Sequence, residues 1–292
     1  MIEVIDLHKS YGDKVILDGI SFKAEPGYIT GFVGANGAGK STTMKIICGL
    51  EEGNAGQTLV DGAPFRQSAN PKRCMGTFMG SDFLPHKTKA KDYLGFVAKV
   101  AREPKADIND ILGQVGLSGK GDMKIGAFSL GMKQRLGIAG ALLGNPENLM
   151  FDEPINGLDV NGIIWIRELM REQANQGKTV LLSSHIMSEL DVVADNVVML
   201  KDGRISCSGS VKSLEQSAQM EVLVDGPDRA AIRAALEAAG LTVLEGDMHL
   251  RVQGAEPTEV GRLVYASGAS LSHLERFRGS LENLFLSSKG GN

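Results

Sequence analysis

Eight consecutive residues, Gly34-Ala35-Asn36-Gly37-Ala38-Gly39-Lys40-Ser41, leave this chain few folds to choose from. They fit the phosphate-loop pattern G-x-x-x-x-G-K-[ST]. They stand between an apolar run, Tyr28-Ile29-Thr30-Gly31-Phe32-Val33, and a helical stretch over 41–50. That context predicts a strand, loop, helix unit. In such a loop the glycines let successive backbone N–H groups converge on phosphate oxygens, and the helix start adds the positive end of its dipole. Lys40 is placed to neutralise charge on β and γ phosphates, and Ser41 to put its hydroxyl on Mg²⁺. A Gly-rich turn that binds nothing has no use for the flanking strand and helix. The G-x-G-x-x-G order of a dinucleotide fingerprint is absent.

A phosphate loop needs a second metal anchor on a neighbouring strand. The apolar run 148–151 ends in Asp152-Glu153. Asp152 is positioned to hold the Mg²⁺ hydration shell, leaving Glu153 to orient and deprotonate an attacking water. Without the phosphate loop, such a pair reads as an ordinary helix N-cap. Further on, Phe128-Ser129-Leu130-Gly131-Met132-Lys133-Gln134 introduces a helix with Met132, Leu136, Ala139 and Leu143 at helical spacing, ended by Gly144-Asn145-Pro146. Its start is either a second phosphate-binding helix terminus, at Ser129 or the N–H groups near Gly131, or the cap of a core helix. His185 follows the apolar strand 179–183, where an imidazole can reach a γ phosphate or serve a structural role.

Around these motifs the pattern is α/β. Ile2, Val4 and, across the Gly12-Asp13 turn, Val15, Ile16 and Leu17 predict an antiparallel edge sheet, and a similar signal recurs at 58–62. Region 82–145 is helical, punctuated at Pro104 and at 116–121. The runs 148–151 and 179–183, separated by a helix through Trp165 and Leu169, suit a parallel sheet covered on both faces. A hairpin through Asp202-Gly203 closes this domain, which is expected over 1–215.

From 216 to 292 a second pattern runs βαββαβ: a strand at Met220, Val222 and Val224, a helix over 228–239 capped by Gly240, strands over 241–244 and 248–252, a helix over 257–266, a strand near 271–274 and a last helix from Ser280. This predicts a small α+β accessory domain of ferredoxin-like type. It carries no catalytic constellation.

Composition narrows the functional classes. The 292 residues are about two domains long and have near-average hydrophobic and charged fractions, which excludes wholesale disorder. A formal net charge of −4 argues against a surface that coats nucleic acid. Cys48, Cys74 and Cys207 are far apart and lack neighbours at metal-ligand spacing, so they read as reduced thiols. No uncharged run reaches the roughly 18 residues of a membrane span, and acid at Glu3 and Asp6 does not suit a secretory leader.

The ordered set of motifs resembles the ATP-binding cassette family. The phosphate loop, Ser129-Leu130-Gly131, Phe151-Asp152-Glu153-Pro154, Asn156-Gly157-Leu158-Asp159 and Ser184-His185 stand in the order that family calls Walker A, signature, Walker B, D-loop and switch histidine. The variant signature Ser-Leu-Gly-Met-Lys-Gln and the appended domain resemble the bacitracin, daunorubicin and lantibiotic exporter branch, whose membrane-spanning subunit is a separate polypeptide. The resemblance implies an ATPase at the cytoplasmic face of the membrane, with a permease partner and a second copy of itself or a homologous subunit. ATP would lie between Tyr11, Gly34, Asn36, Gly37, Ala38, Gly39, Lys40, Ser41 and Thr42 of one copy and Ser129, Gly131 and Met132 of the other. Tyr11 is either the adenine-stacking aromatic or a hairpin aromatic on an edge sheet. Asp159 would couple the two sites, Ser41 and Asp152 would hold Mg²⁺, and Glu153 and His185 would be catalytic.

The sequence also departs from the family. Gly80 stands where the family has a metal- and water-contacting Gln, so either Asp82 takes over or hydrolysis is slow or strongly dependent on the partner, and partner dependence is the expectation adopted. Ile155, Leu130 and Met132 replace the usual Thr, Gly and Gln. Two other classes fit part of the pattern: a cassette ATPase acting on nucleic acid or ribosomes, and an ATP-clamped regulatory subunit with little hydrolysis.

Overall fold

The structure, a computed structural model, describes residues 1–103, 106–217, 221–246 and 248–277. The chain divides into two compact units, Met1–Ser210 and Val211–Asn292.

In chain order the first unit runs β1 (Ile2–Tyr11), β2 (Lys14–Ala24), β3 (Ile29–Val33), α1 (Lys40–Ile47), β4 (Ala55–Val60), α2 (Pro71–Cys74), β5 (Met75–Phe78), α3 (Ala90–Val100), α4 (Ile108–Gln114), α5 (Leu130–Leu142), β6 (Asn148–Phe151), α6 (Val160–Asn175), β7 (Thr179–Ser184), α7 (Met187–Val193), β8 (Asn196–Lys201) and β9 (Arg204–Ser210). The central sheet has the order β5-β6-β7-β3-β8-β9. Its first five strands are parallel and β9 pairs antiparallel with β8. Every residue of β3, β6 and β7 is buried, which is why these strands are almost continuously apolar rather than alternating.

β6, β7 and β3 are adjacent and parallel, so the loops leaving their C-terminal ends emerge side by side. That edge is where an open α/β sheet offers a crevice. Beside it, β2, β1 and β4 make the antiparallel edge sheet. Ile2, Val4 and Leu7 of β1 point into one core with Phe32, Met44, Met150 and Leu181. A second core holds α3, α4 and α5 together through Leu94, Leu112, Leu136 and Ala139. Truncating a fully buried residue such as Leu136 to Ala should cost about 2–5 kcal/mol.

One sequence expectation needs correction here. The helix expected over 41–50 is α1, from Lys40 to Ile47, because Gly49 adopts φ +69° and turns the chain away. The signal at 58–62 falls on β4, which joins the antiparallel edge sheet by pairing with β1, and Asp61-Gly62 closes a tight turn onto Ala63. Pro104 lies outside the described residues.

The second unit contains α8 (Val211–Ser217), β10 (Glu221–Asp225), α9 (Arg229–Ala238), β11 (Thr242–Leu244), β12 (Leu250–Gln253), α10 (Pro257–Ala266) and β13 (His273–Phe277). Its sheet has the order β11-β12-β10-β13, antiparallel throughout. Each helix thus joins two strands that have a third between them. Asp228 caps α9 by accepting from Ala231 N at 2.9 Å. Val222, Val224, Ile232, Leu236, Val252, Val260 and Val264 form the core. The strand expected near 271–274 starts two residues later, with Leu271 packed on the core from the preceding turn. The helix expected from Ser280 lies outside the described residues.

Candidate nucleotide site

At the end of β3 the chain can turn only because it carries glycine. A Cβ on Gly34 would lie 2.5 Å from the Leu200 carbonyl oxygen. Gly39 has φ +112°, and a Cβ there would lie 2.6 Å from Leu17 Cδ2. Lys40, 6% exposed, opens α1 and folds back so that Nζ donates to the Gly34 carbonyl at 2.6 Å. Thr43 Oγ1 donates to the Gly39 carbonyl at 2.9 Å and ties the first helical turn to the loop.

The end of β6 is held by its neighbours. Asp152 N donates to the Phe78 carbonyl at 2.8 Å. Ser183 Oγ donates to Asp152 Oδ1 at 2.5 Å and accepts from Glu153 N at 2.9 Å. Glu153 then turns at φ +48°, a region that non-glycine residues enter only where surroundings hold them. Its Oε1 lies 3.4 Å from Lys40 Nζ. Its Oε2 lies 2.9 Å from His185 Nδ1 and 3.4 Å from Asn156 Nδ2. Ser184 shapes the turn that carries His185, accepting from Ile186 N at 3.0 Å and donating to Glu189 Oε2 at 3.0 Å.

Lys40, Asp152, Glu153 and His185 therefore meet at the C-terminal edge of the central sheet. Ser183 is a member of this site that the sequence reading missed. Its one signal is a hydroxyl pair, Ser183-Ser184, ending an otherwise apolar strand.

Ser41 and Asp152 line one cleft of about 470 Å³ with Lys45, Thr77, Gly80 and Phe83. Among the described residues no cluster of three or more His, Cys, Asp or Glu could hold a metal unaided. One hydroxyl and one carboxylate suit a hard divalent cation that takes its remaining ligands from phosphate oxygens and water. Gly80 has φ +99° and ψ 158°, a conformation open essentially to glycine alone.

The helix α5 and the loop after Glu153 form a separate arrangement. Ser129 caps α5, its Oγ accepting from Met132 N at 3.3 Å. Leu130 sits where a side chain on Gly157 would be: a Cβ at 157 would lie 2.2 Å from Leu130 Cδ2. Gly131 approaches the Gly157 carbonyl, and one turn on Gln134 Nε2 donates to the Asn156 carbonyl at 2.6 Å. Asp159 caps α6, accepting from Gly162 N at 2.7 Å. Ser129 thus finds its partner within α5, Gly131 faces the loop at Gly157 and Leu158, and Met132 packs against the core of α3, α4 and α5. The sequence reading missed Gln134, although its i, i+4 spacing from Leu130 puts both on one helix face. Tyr11 ends β1, half exposed, with its hydroxyl on Glu51.

Known proteins resemble this chain in sequence and in fold. Residues 17–156 match the family described as ABC transporter, and residues 220–282 match a domain of unknown function, DUF8746. The chain is 36% identical over 205 residues to the lantibiotic transport ATP-binding protein SrtF of Streptococcus pyogenes, covering 70% of this chain and 89% of that one. It is 34% identical over 294 residues to the Nod factor export ATP-binding protein I of Burkholderia thailandensis, covering 98% of this chain and 95% of that one. A solved structure described as the ATP binding subunit of an ABC transporter superposes with a TM-score of 0.67 at 28% identity, over 74% of this chain and 92% of that one. The ordered motifs, the edge on which four of their side chains converge and relatives matched along most of their own length place the chain in the ABC transporter family, as an ATP-binding and ATP-hydrolysing subunit.

Proposed function

We propose that this chain powers an exporter of an antibiotic, peptide or lipid-like compound, working as a head-to-tail dimer on a separate membrane-spanning subunit at the cytoplasmic face of the membrane. The observation that carries the hydrolytic reading is the bracketing of Glu153 between Lys40 and His185. Glu153 takes the proton of the attacking water, Lys40 neutralises the β and γ phosphates, and His185 meets the γ phosphate. Ser41 and Asp152 hold Mg²⁺, which when bound neutralises phosphate charge.

Two features support the dimer. The N-terminus of α5, with Ser129, Gly131 and Met132, is a second helix start suited to phosphate, and its own contacts lie away from the loop of its own chain. A second copy, or a homologous subunit, brings that terminus to the ATP held by Gly34, Asn36, Gly37, Ala38, Gly39, Lys40, Ser41 and Thr42. Asp159, at the head of α6, lies on the same loop as the contacts to α5 and couples the two sites. Closure around ATP and release after hydrolysis alternate the membrane subunit between two states. The functions named for the relatives, lantibiotic transport and Nod factor export, support export. Among the described residues no helix is long and apolar enough to cross a membrane, in keeping with a separate membrane subunit.

The test is to purify an affinity-tagged Glu153→Gln chain in ATP after gentle detergent extraction. The expected result is a stoichiometric polytopic membrane protein bound to a closed dimer. Recovery of ribosomes or nucleic acid instead would overturn the transport reading.

A further inference from the structure

Tyr11 is anchored chiefly by Glu51 and Lys9, which lie outside the phosphate-binding set. Its hydroxyl donates to Glu51 Oε1, and the Thr42 hydroxyl faces the Tyr11 hydroxyl itself. Lys9, two residues back on β1 and so on the same side of the strand, places Nζ 3.2 Å from Glu51 Oε1. The same ammonium donates to the Glu52 carbonyl at 2.7 Å and lies 4.9 Å from the centre of the Tyr11 ring. The anchors are covered while the ring is presented: the Lys9 and Glu51 side chains are 13% and 21% exposed, Tyr11 50%.

Thr42 stands in the first turn of α1, and Glu51 just beyond its end. The ring is thereby registered against both ends of the helix that Lys40 opens. The Lys9 ammonium covers the ring on one side, and half of the residue's surface stays exposed. The charges respond to each other: hydrogen bonding to Glu51 pushes the Tyr11 phenol up, and the Tyr11 hydroxyl holds the Glu51 carboxyl down.

We propose that Glu51 and Lys9 are positioning residues that hold the Tyr11 ring as a preformed platform for the nucleobase of ATP, so that they set nucleotide affinity without touching the phosphates. The inference rests on the reading of Tyr11 as the base-stacking aromatic. A ring held in one orientation before binding spares the complex the entropy of ordering it. A free ring at the end of a strand would have to be ordered by each nucleotide that arrives.

The experiment compares ATP with inorganic triphosphate, which has no base, on the full chain carrying Glu51→Ala, Lys9→Met, Glu51→Gln or Tyr11→Ala. Glu51→Ala and Lys9→Met are expected to raise the KM for ATP about 2- to 10-fold with kcat unchanged. Binding of inorganic triphosphate stays as in the wild type. Glu51→Gln, which keeps an acceptor for the Tyr11 hydroxyl, restores most of the affinity. If Tyr11→Ala weakens ATP while Glu51→Ala and Lys9→Met do not, the positioning role is wrong and the stacking role stands. If Tyr11→Ala leaves ATP affinity unchanged, the stacking role fails and the proposal falls with it. Equal loss of ATP and triphosphate binding in Glu51→Ala would place its effect on the phosphate loop and also overturn the proposal.

Discussion

His185 Nδ1 lies 2.9 Å from Glu153 Oε2, so the proposed base and the proposed γ-phosphate ligand are in contact within one chain. An ionised carboxylate can only accept, which puts the shared proton on Nδ1. Two groups coupled in this way should not act additively when removed. Glu153→Gln is expected to lower kcat about 10²- to 10⁴-fold while ATP still binds. His185→Ala should lower kcat by no more than that, and the double variant should be no slower than Glu153→Gln alone. Steady-state ATPase rates of the three variants decide it; multiplicative losses would mean that the contact carries no catalytic coupling.

Gly80 makes a different kind of demand. Its φ of +99° and ψ of 158° suit glycine, yet a Cβ built there meets nothing within 4 Å. A side chain at 80 is therefore strained but not blocked. Gly80→Ala and Gly80→Gln should each destabilise the chain by about 1–3 kcal/mol, seen as a lower melting temperature. Only the Gln variant adds a group able to reach the metal and water. ATPase activity of the isolated chain should rise for Gly80→Gln and not for Gly80→Ala. An unchanged rate in Gly80→Gln would remove the support for partner-dependent hydrolysis.

The parts of the fold that were readable in advance are those whose cause is local. The phosphate loop is spelled by its glycines. β6 and β7 announce themselves because strands buried on both faces must be apolar at every position. α10 starts at Pro257, where the missing N–H costs nothing. What was not readable depends on meetings across the chain. Ser183 looks like the frayed end of a strand until the structure puts it between Asp152 and the Glu153 amide. Gln134 looks like a solvated helix residue, but it is 4% exposed because Asn156 folds against it. The end of α1 was placed too late because helix pattern runs through Leu50, and only the φ of Gly49 stops it.

Gln134 offers a case in which stability and activity should separate. Its Nε2 donates to the Asn156 carbonyl at 2.6 Å, but its Oε1 is buried with no hydrogen-bond partner. Gln134→Leu loses the first interaction and relieves the second defect, so the net change in stability should stay within about 1 kcal/mol. Asn156 also contacts Glu153 Oε2, and releasing its backbone loosens the loop that leaves the proposed base. ATPase turnover should therefore fall although the melting temperature hardly moves. A large loss of stability with unchanged turnover per folded molecule would show the amide to be structural only.

Asp225 and Arg229 fasten the end of β10 to the first turn of α9. Arg229 Nε donates to Asp225 Oδ1 at 2.6 Å and Nη2 to Oδ2 at 2.9 Å, and Gly226 N donates to Oδ1 at 2.9 Å. The Arg229 hydrogen bond, ahead of the Gly226 amide, holds the Asp225 carboxyl at about 2, below its ordinary 3.8. A carboxyl whose folded value is depressed stabilises the fold at all pH values above its unfolded range. That contribution fades as pH falls from about 4 towards 2, where folded Asp225 also takes up its proton. The titration can be followed by the carboxyl carbon shift of Asp225 in the full chain, with a midpoint expected about 2. Arg229→Gln should return the midpoint towards the ordinary range and make the second unit unfold at higher pH on acidification. A wild-type midpoint near 4, or acid unfolding unaffected by Arg229→Gln, would mean that this pair does not fasten the strand to the helix.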